Sequence, residues 1–136
     1  MPTSPSESHS PESFWPRAET WLIVLIAIHS FVVAFFLMFF TRWGAAFGGW
    51  GDVSPLFFAR QAGVFHIVVG VGYLLDYFRY RSVTFLLVTK VLAVLFLVSM
   101  MMVAEPATWV IPLSALADGA MALVVYLVHR KAQSTG

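Results

Sequence analysis

Residues Trp21 to Phe40 read WLIVLIAIHSFVVAFFLMFF, an apolar run interrupted by one ionisable side chain, His29. An α-helix rises ~1.5 Å per residue, so about 20 residues cross the ~30 Å hydrocarbon layer of a bilayer. The run is too long for the apolar part of a cleaved leader, lacks a clear basic lead-in and is followed by no small-residue cleavage site. It is expected to persist as a first membrane span. Phe14, Trp15 and Trp21 around Arg17 suit the headgroup level, where aromatic rings collect. Residues 1–13 are Ser/Pro-rich, with Pro2, Pro5 and Pro11 and no apolar periodicity, and are expected to form a disordered tail.

Three more apolar runs follow, over about residues 55–77, 83–103 and 106–129. Ser54 and Pro55 read as the N-cap and first position of the second helix, and Pro112 falls where a local bend would be tolerated. Between the first two spans, residues 41–54 combine glycines 44, 48, 49 and 51 with Trp43, Phe47 and Trp50, a composition suited to an interfacial loop. The other connections are short, so consecutive helices are expected to be antiparallel. The fold expected is therefore all-α: a polytopic membrane protein whose residues 14–131 make a four-transmembrane-helix antiparallel bundle, with residues 132–136 as a short polar tail.

Composition agrees. The 136 residues are 60% hydrophobic and 11% charged, more apolar surface than a soluble domain of this size can hide. Eight Lys+Arg balance seven Asp+Glu, and no basic run of the kind that grips nucleic acid is present. Cysteine is absent, which removes thiolate metal sites, disulfides and paired-thiol redox chemistry. Basic residues near the helix ends place Arg17, Arg79, Arg81, Arg130 and Lys131 on one side, against Arg42 and Arg60 on the other. The positive-inside rule then puts both termini in the cytoplasm.

Each span carries one ionisable residue near its middle: His29, His66, Lys90 and Asp118. A Lys or Asp at a helix centre costs roughly 2.5–3.5 kcal/mol on insertion scales, so each calls for a partner. In the second span, Gly63, His66, Gly70, Tyr73 and Tyr77 recur at helical spacing, and small residues on such a stripe let another backbone approach. Ser114, Ala115, Asp118 and Ala122 make a comparable stripe in the fourth. Lys90 has no polar stripe of its own. It either pairs with Asp118 on the neighbouring helix or extends its head toward the membrane surface.

Two histidines at mid-depth on different helices are also the donor set of a b-type haem, so His29 and His66 form an alternative haem pair in a chain otherwise expected to hold no cofactor. Arg60 and Gln61 lie roughly 7–9 Å inside the outer end of the second span. Arg60 either reaches back to the headgroups or holds an anion, a lipid phosphate or a carboxylated ligand. Asp76 reads as an interfacial partner for Arg79, the Met100–Met102 run as lipid-facing, and His129, Arg130 and Lys131 as a cationic helix cap.

The four-span plan, with the segment Phe58 to Tyr73 (FARQAGVFHIVVGVGY), resembles the small DoxX-like membrane proteins, whose second helix carries an Arg or polar residue, a small residue and a Gly-rich turn. That resemblance implies a bacterial inner-membrane protein, in some members associated with quinone-linked oxidoreductase complexes. It transfers no catalytic residue.

Three functions follow as expectations. One is a non-catalytic accessory or assembly component of a larger membrane complex or a homo-oligomer, its polar residues fixing helix register in the lipid bilayer. Another is an intramembrane ligand-binding or proton-coupled transport unit built on His29, Arg60, His66, Tyr73, Lys90 and Asp118. An enzyme acting on a quinone or lipid comes last, because no nucleophile paired with a base, metal triad or phosphate loop is present.

Overall fold

The computed structural model describes residues 14–103 and 108–134, and these are all-helical. Four long helices, α1 (Phe14–Phe39), α3 (Leu56–Tyr80), α4 (Thr84–Val103) and α5 (Val110–Ser134), are each long and apolar enough to cross a membrane; α2 (Thr41–Phe47) is a two-turn helix between the first two. The expected tail over residues 1–13 and the start of the last helix at Pro106 lie outside the described residues.

Several boundaries differ from the sequence expectation. Helix α1 starts at Phe14, seven residues before the apolar run. Its polar first turns cost nothing to solvate at a membrane surface, and Pro16 sits in the first turn, where a missing N–H has no intrahelical acceptor to lose. Pro112 occupies the equivalent first-turn place in α5. That helix continues to Ser134, through most of the polar tail. Pro55 is the N-cap of α3 with extended backbone, and Ser54 makes no side-chain cap, so the helix begins one residue later than its turn signal suggested.

The loop expected over residues 41–54 contains α2. Trp43 and Phe47 stack on one another with centroids 5.3 Å apart, and Phe47 meets Trp109, just before α5, edge to face. Trp109 Nε1 donates to Phe47 O at 3.0 Å. Behind this contact Gly49, at φ +92°, presses onto Thr108 and Trp109, and a Cβ there would lie 3.3 Å from Thr108 Cβ. Only glycine combines that backbone with that proximity.

Helix α1 packs mainly on α3, and α4 on α5; the two pairs join along α1 and α5, while α3 touches α4 more narrowly. Helices α1 and α4, and α3 and α5, are diagonal, with no close backbone approach among the described residues. Contacts along α1 and α3 run in opposite senses: Gly63 meets Ala34, Gly70 meets Phe31, and Tyr77 meets Thr20. At the other end of α3, Arg81 takes a left-handed C-cap (φ 53°) and returns its N–H to Tyr77 O. Asp76 then receives the Phe85 N–H at 3.0 Å on its Oδ2. Its role is to cap the first turn of α4, a correction to the interfacial pair with Arg79.

The buried apolar core, Ile23, Ile26, Tyr73, Tyr77, Val83, Leu86 and Val125, lies toward this turn end of the bundle. Large apolar side chains elsewhere point outward, among them Leu25, Val68, Leu92, Phe96, Leu116 and Leu127. A water-soluble bundle would bury such residues; here lipid is the solvent that accepts them.

Candidate functional site

The ionisable residues are organised in layers, and helix geometry sets their spacing. At the turn end, His129 Nδ1 of α5 and Glu19 Oε1 of α1 form a close hydrogen-bonding contact. Tyr77 of α3 donates its hydroxyl toward Glu19 Oε2 at 3.5 Å and shares a 2.8 Å hydrogen bond with Thr20 Oγ1. Gln133 Nε2 lies 2.9 Å from the other imidazole nitrogen of His129. Glu19 is buried, at 7% exposure, so this group of five side chains joins three helices in a site largely closed to lipid.

Counting from that layer along each helix reaches the second. His29 follows Glu19 by ~15 Å, His66 precedes Tyr77 by ~16 Å, and Asp118 precedes His129 by ~16 Å. Three helices thus bring an ionisable residue to one level, and Lys90 of α4 joins them through Asp118. Lys90 Nζ donates to Asp118 Oδ1 at 2.5 Å, with side chains 7% and 17% exposed. At ~1.5 Å per residue, Tyr73 stands ~6 Å from Tyr77 toward this level. Its ring is 2% exposed, and Thr89 and Asp118 are its polar neighbours.

The two histidines differ. His66 is half-buried, with Nδ1 2.8 Å from Ala62 O one turn back in its own helix, a contact that orients the ring and leaves Nε2 for other work. His29 lies on an exposed face of α1, while Lys90, Asp118 and His66 all act on it electrostatically. The two imidazoles share a level on packed helices but not an environment. Among the described residues no group of three or more His, Asp or Glu could hold a metal ion.

The α3 stripe faces α1. A Cβ on Gly63 would lie 2.7 Å from Met38 Cγ and 3.1 Å from Ala34 O, and one on Gly70 would lie 2.8 Å from Phe31 Cε1. Those glycines therefore set the helix separation that brings Tyr77 to Thr20 and Glu19. On α5, Ser114, Ala115, Asp118 and Ala122 are all partly covered. Arg60 stands apart from both layers: it is exposed near the α2 end, beside Gln61 and well away from Lys90 and Asp118.

Sequence reasoning missed the Glu19 layer. His129 serves as Glu19's partner across the bundle, in place of the cationic cap read from its neighbours Arg130 and Lys131. The available signal was phase: Glu19 precedes Ile23, Ile26 and Ser30 at helical spacing, on what becomes the buried face of α1.

The direct Lys90–Asp118 contact leaves no room for a ligand between the two charges. It satisfies each by the other and locks α4 to α5 at one register. The Glu19 layer does the same between α1 and α5. Comparison of this chain with protein-family models, curated proteins and solved structures finds no match.

Proposed function

We propose that this chain is a non-catalytic accessory or assembly component of a larger membrane complex, a DoxX-like protein of a bacterial inner membrane with both termini cytoplasmic. The observation that carries this reading is His29. It lies at the level of the buried ion pair, mid-way along a span, yet on an exposed face of the chain. A polar ring left partly open at that depth is costly, and another transmembrane helix laid against that side of α1 removes the cost by covering it. The closed ion pair supports the same reading, since its charges are occupied in holding register.

The test is extraction in a mild detergent, followed by photo-cross-linking from a benzophenone side chain introduced at position 29. The expected result is one cross-linked partner at fixed stoichiometry, lost when the probe is moved to Leu116 on α5. Cross-links to lipid alone, with a monomeric chain in intact membranes, overturn the reading.

A second reading, a proton-coupled unit, draws on the stacking of the layers through Tyr77 and Tyr73 toward Asp118. Replacing the pair as Lys90→Met with Asp118→Asn separates the two. Loss of proton flux in reconstituted vesicles with the complex intact supports the proton route; intact assembly without any flux in either form supports the accessory role.

A further inference from the structure

Between the C-terminal end of α1 and the first turns of α3 lies an open groove of about 740 Å³, lined by Met38, Phe39, Phe57, Arg60, Gln61 and Val64. Its size falls within the range of sites that hold small organic ligands, roughly 300–1,000 Å³. The wall is apolar apart from Arg60 and Gln61. Phe39, Phe57 and Val64 are exposed, at 69%, 64% and 47%, so they meet whatever lies beside the protein.

Arg60 forms no ion pair and no hydrogen bond with any described residue. It sits about 6 Å along α3 from the helix start, within the positive end of the helix dipole and next to the amide of Gln61. A permanently charged guanidinium near the end of an apolar helix is stabilised by an anion at hand, and its planar fork suits a phosphate or carboxylate. No described residue supplies one: Asp52, in the connection before α3, is 3.9 Å from Arg42, and both of those side chains are largely exposed.

We infer that this groove is a binding site for an anionic phospholipid, with the phosphate on Arg60 and Gln61, the headgroup toward Phe57 and an acyl chain running inward past Met38 and Val64. The occupant follows from the arrangement. The guanidinium and amide stand one turn inside the helix start, with Phe57 beyond them and Val64 and Met38 deeper, which matches an amphiphile whose phosphate sits near the end of the span and whose chain runs inward; the guanidinium fork suits phosphate oxygens. Gly63 makes the trough, because it lets α1 and α3 approach closely just beneath it. The site is separate from the two polar layers and does not depend on the accessory reading.

The probe is phosphatidylglycerol, added to the purified full chain in detergent and counted as retained adducts by native mass spectrometry, with phosphatidylcholine as the uncharged-balance control. Retention of phosphatidylglycerol is expected to exceed that of phosphatidylcholine by roughly tenfold, and Arg60→Gln should abolish the preference. Arg60→Lys should keep part of it, since the charge remains without the fork. Val64→Trp fills the trough without touching the charge, and should weaken retention of both lipids. Because residues 60 and 64 are exposed, these variants should retain wild-type helicity and thermal midpoint, which circular dichroism checks. Equal retention of the two lipids by the parent chain overturns the proposal. So does unchanged phosphatidylglycerol binding in Arg60→Gln or in Val64→Trp, or full competition by inorganic phosphate at equal concentration, which would assign the site to a free anion.

Discussion

The α1–α3 and α4–α5 pairs solve the same problem by different means. In lipid, helices gain little from hiding apolar surface from one another, so association needs close packing or polar attachment. Helices α1 and α3 use packing: Gly63 and Gly70 remove side chains and let Met38 and Phe31 fill the space. Helices α4 and α5 use charge, through Lys90 and Asp118. Packing tolerates small adjustments along a surface, whereas a buried ion pair makes one register much better than its neighbours. The difference predicts that the two seams fail differently.

The largest effect is expected at the charged seam. Lys90→Met leaves Asp118 as an uncompensated buried charge and should destabilise the protein by about 3–5 kcal/mol. The double replacement Lys90→Met with Asp118→Leu should recover most of that loss, because well-packed apolar residues can substitute for a buried pair. Reversible unfolding by steric trapping measures both. A single variant no worse than the double one would break the distinction between the seams.

The packed seam should respond to volume instead. Gly63→Leu is expected to cost about 1–3 kcal/mol by overpacking. Gly63→Ala should cost more than Gly70→Ala, since the new methyl at 63 meets the Ala34 carbonyl while that at 70 meets only the Phe31 ring, which can turn. Distances between spin labels on the solvent ends of α1 and α3 should lengthen in Gly63→Leu; unchanged distances with unchanged stability would show that the glycines do not set the approach.

The smallest effect belongs to the layer that links the two pairs. Tyr77→Phe removes one hydroxyl shared with Thr20 and Glu19 and should cost about 0.5–1.5 kcal/mol, while Glu19 keeps His129. The same unfolding assay reads it. A loss as large as that of Lys90→Met would make this layer, rather than the mid-depth pair, the main polar attachment.

The uneven legibility of these features has a physical origin. The four spans could be read directly because lipid exposure imposes long apolar runs that nothing else requires. Lys90 and Asp118 stood out for the converse reason: charge at that depth is rare. Glu19 and His129 lie where charges are ordinary, near the ends of spans, so composition could not mark them; helical phase with Ile23, Ile26 and Ser30 points Glu19 inward, but its pairing with His129 follows only from the meeting of α1 with α5. Helix α2 was hidden by its glycines, whose turn chemistry is real at Gly49 but leaves residues 41–47 free to coil. His29 could be placed in depth from sequence but not in facing, because the run from Trp21 to Phe40 is apolar on nearly every side and Ser30 is the one small polar residue in it that marks the inner face.

The bond from Trp109 to Phe47 O joins the first extramembrane connection to the start of the last helix. During synthesis α2 emerges long before Trp109, so its final seat does not yet exist when its own flanking spans have formed. The α2 segment must wait for the fourth span to enter the bilayer. Its docking is therefore a late event in biogenesis, and an early sign of a chain that never completed insertion would be an α2 open to protease.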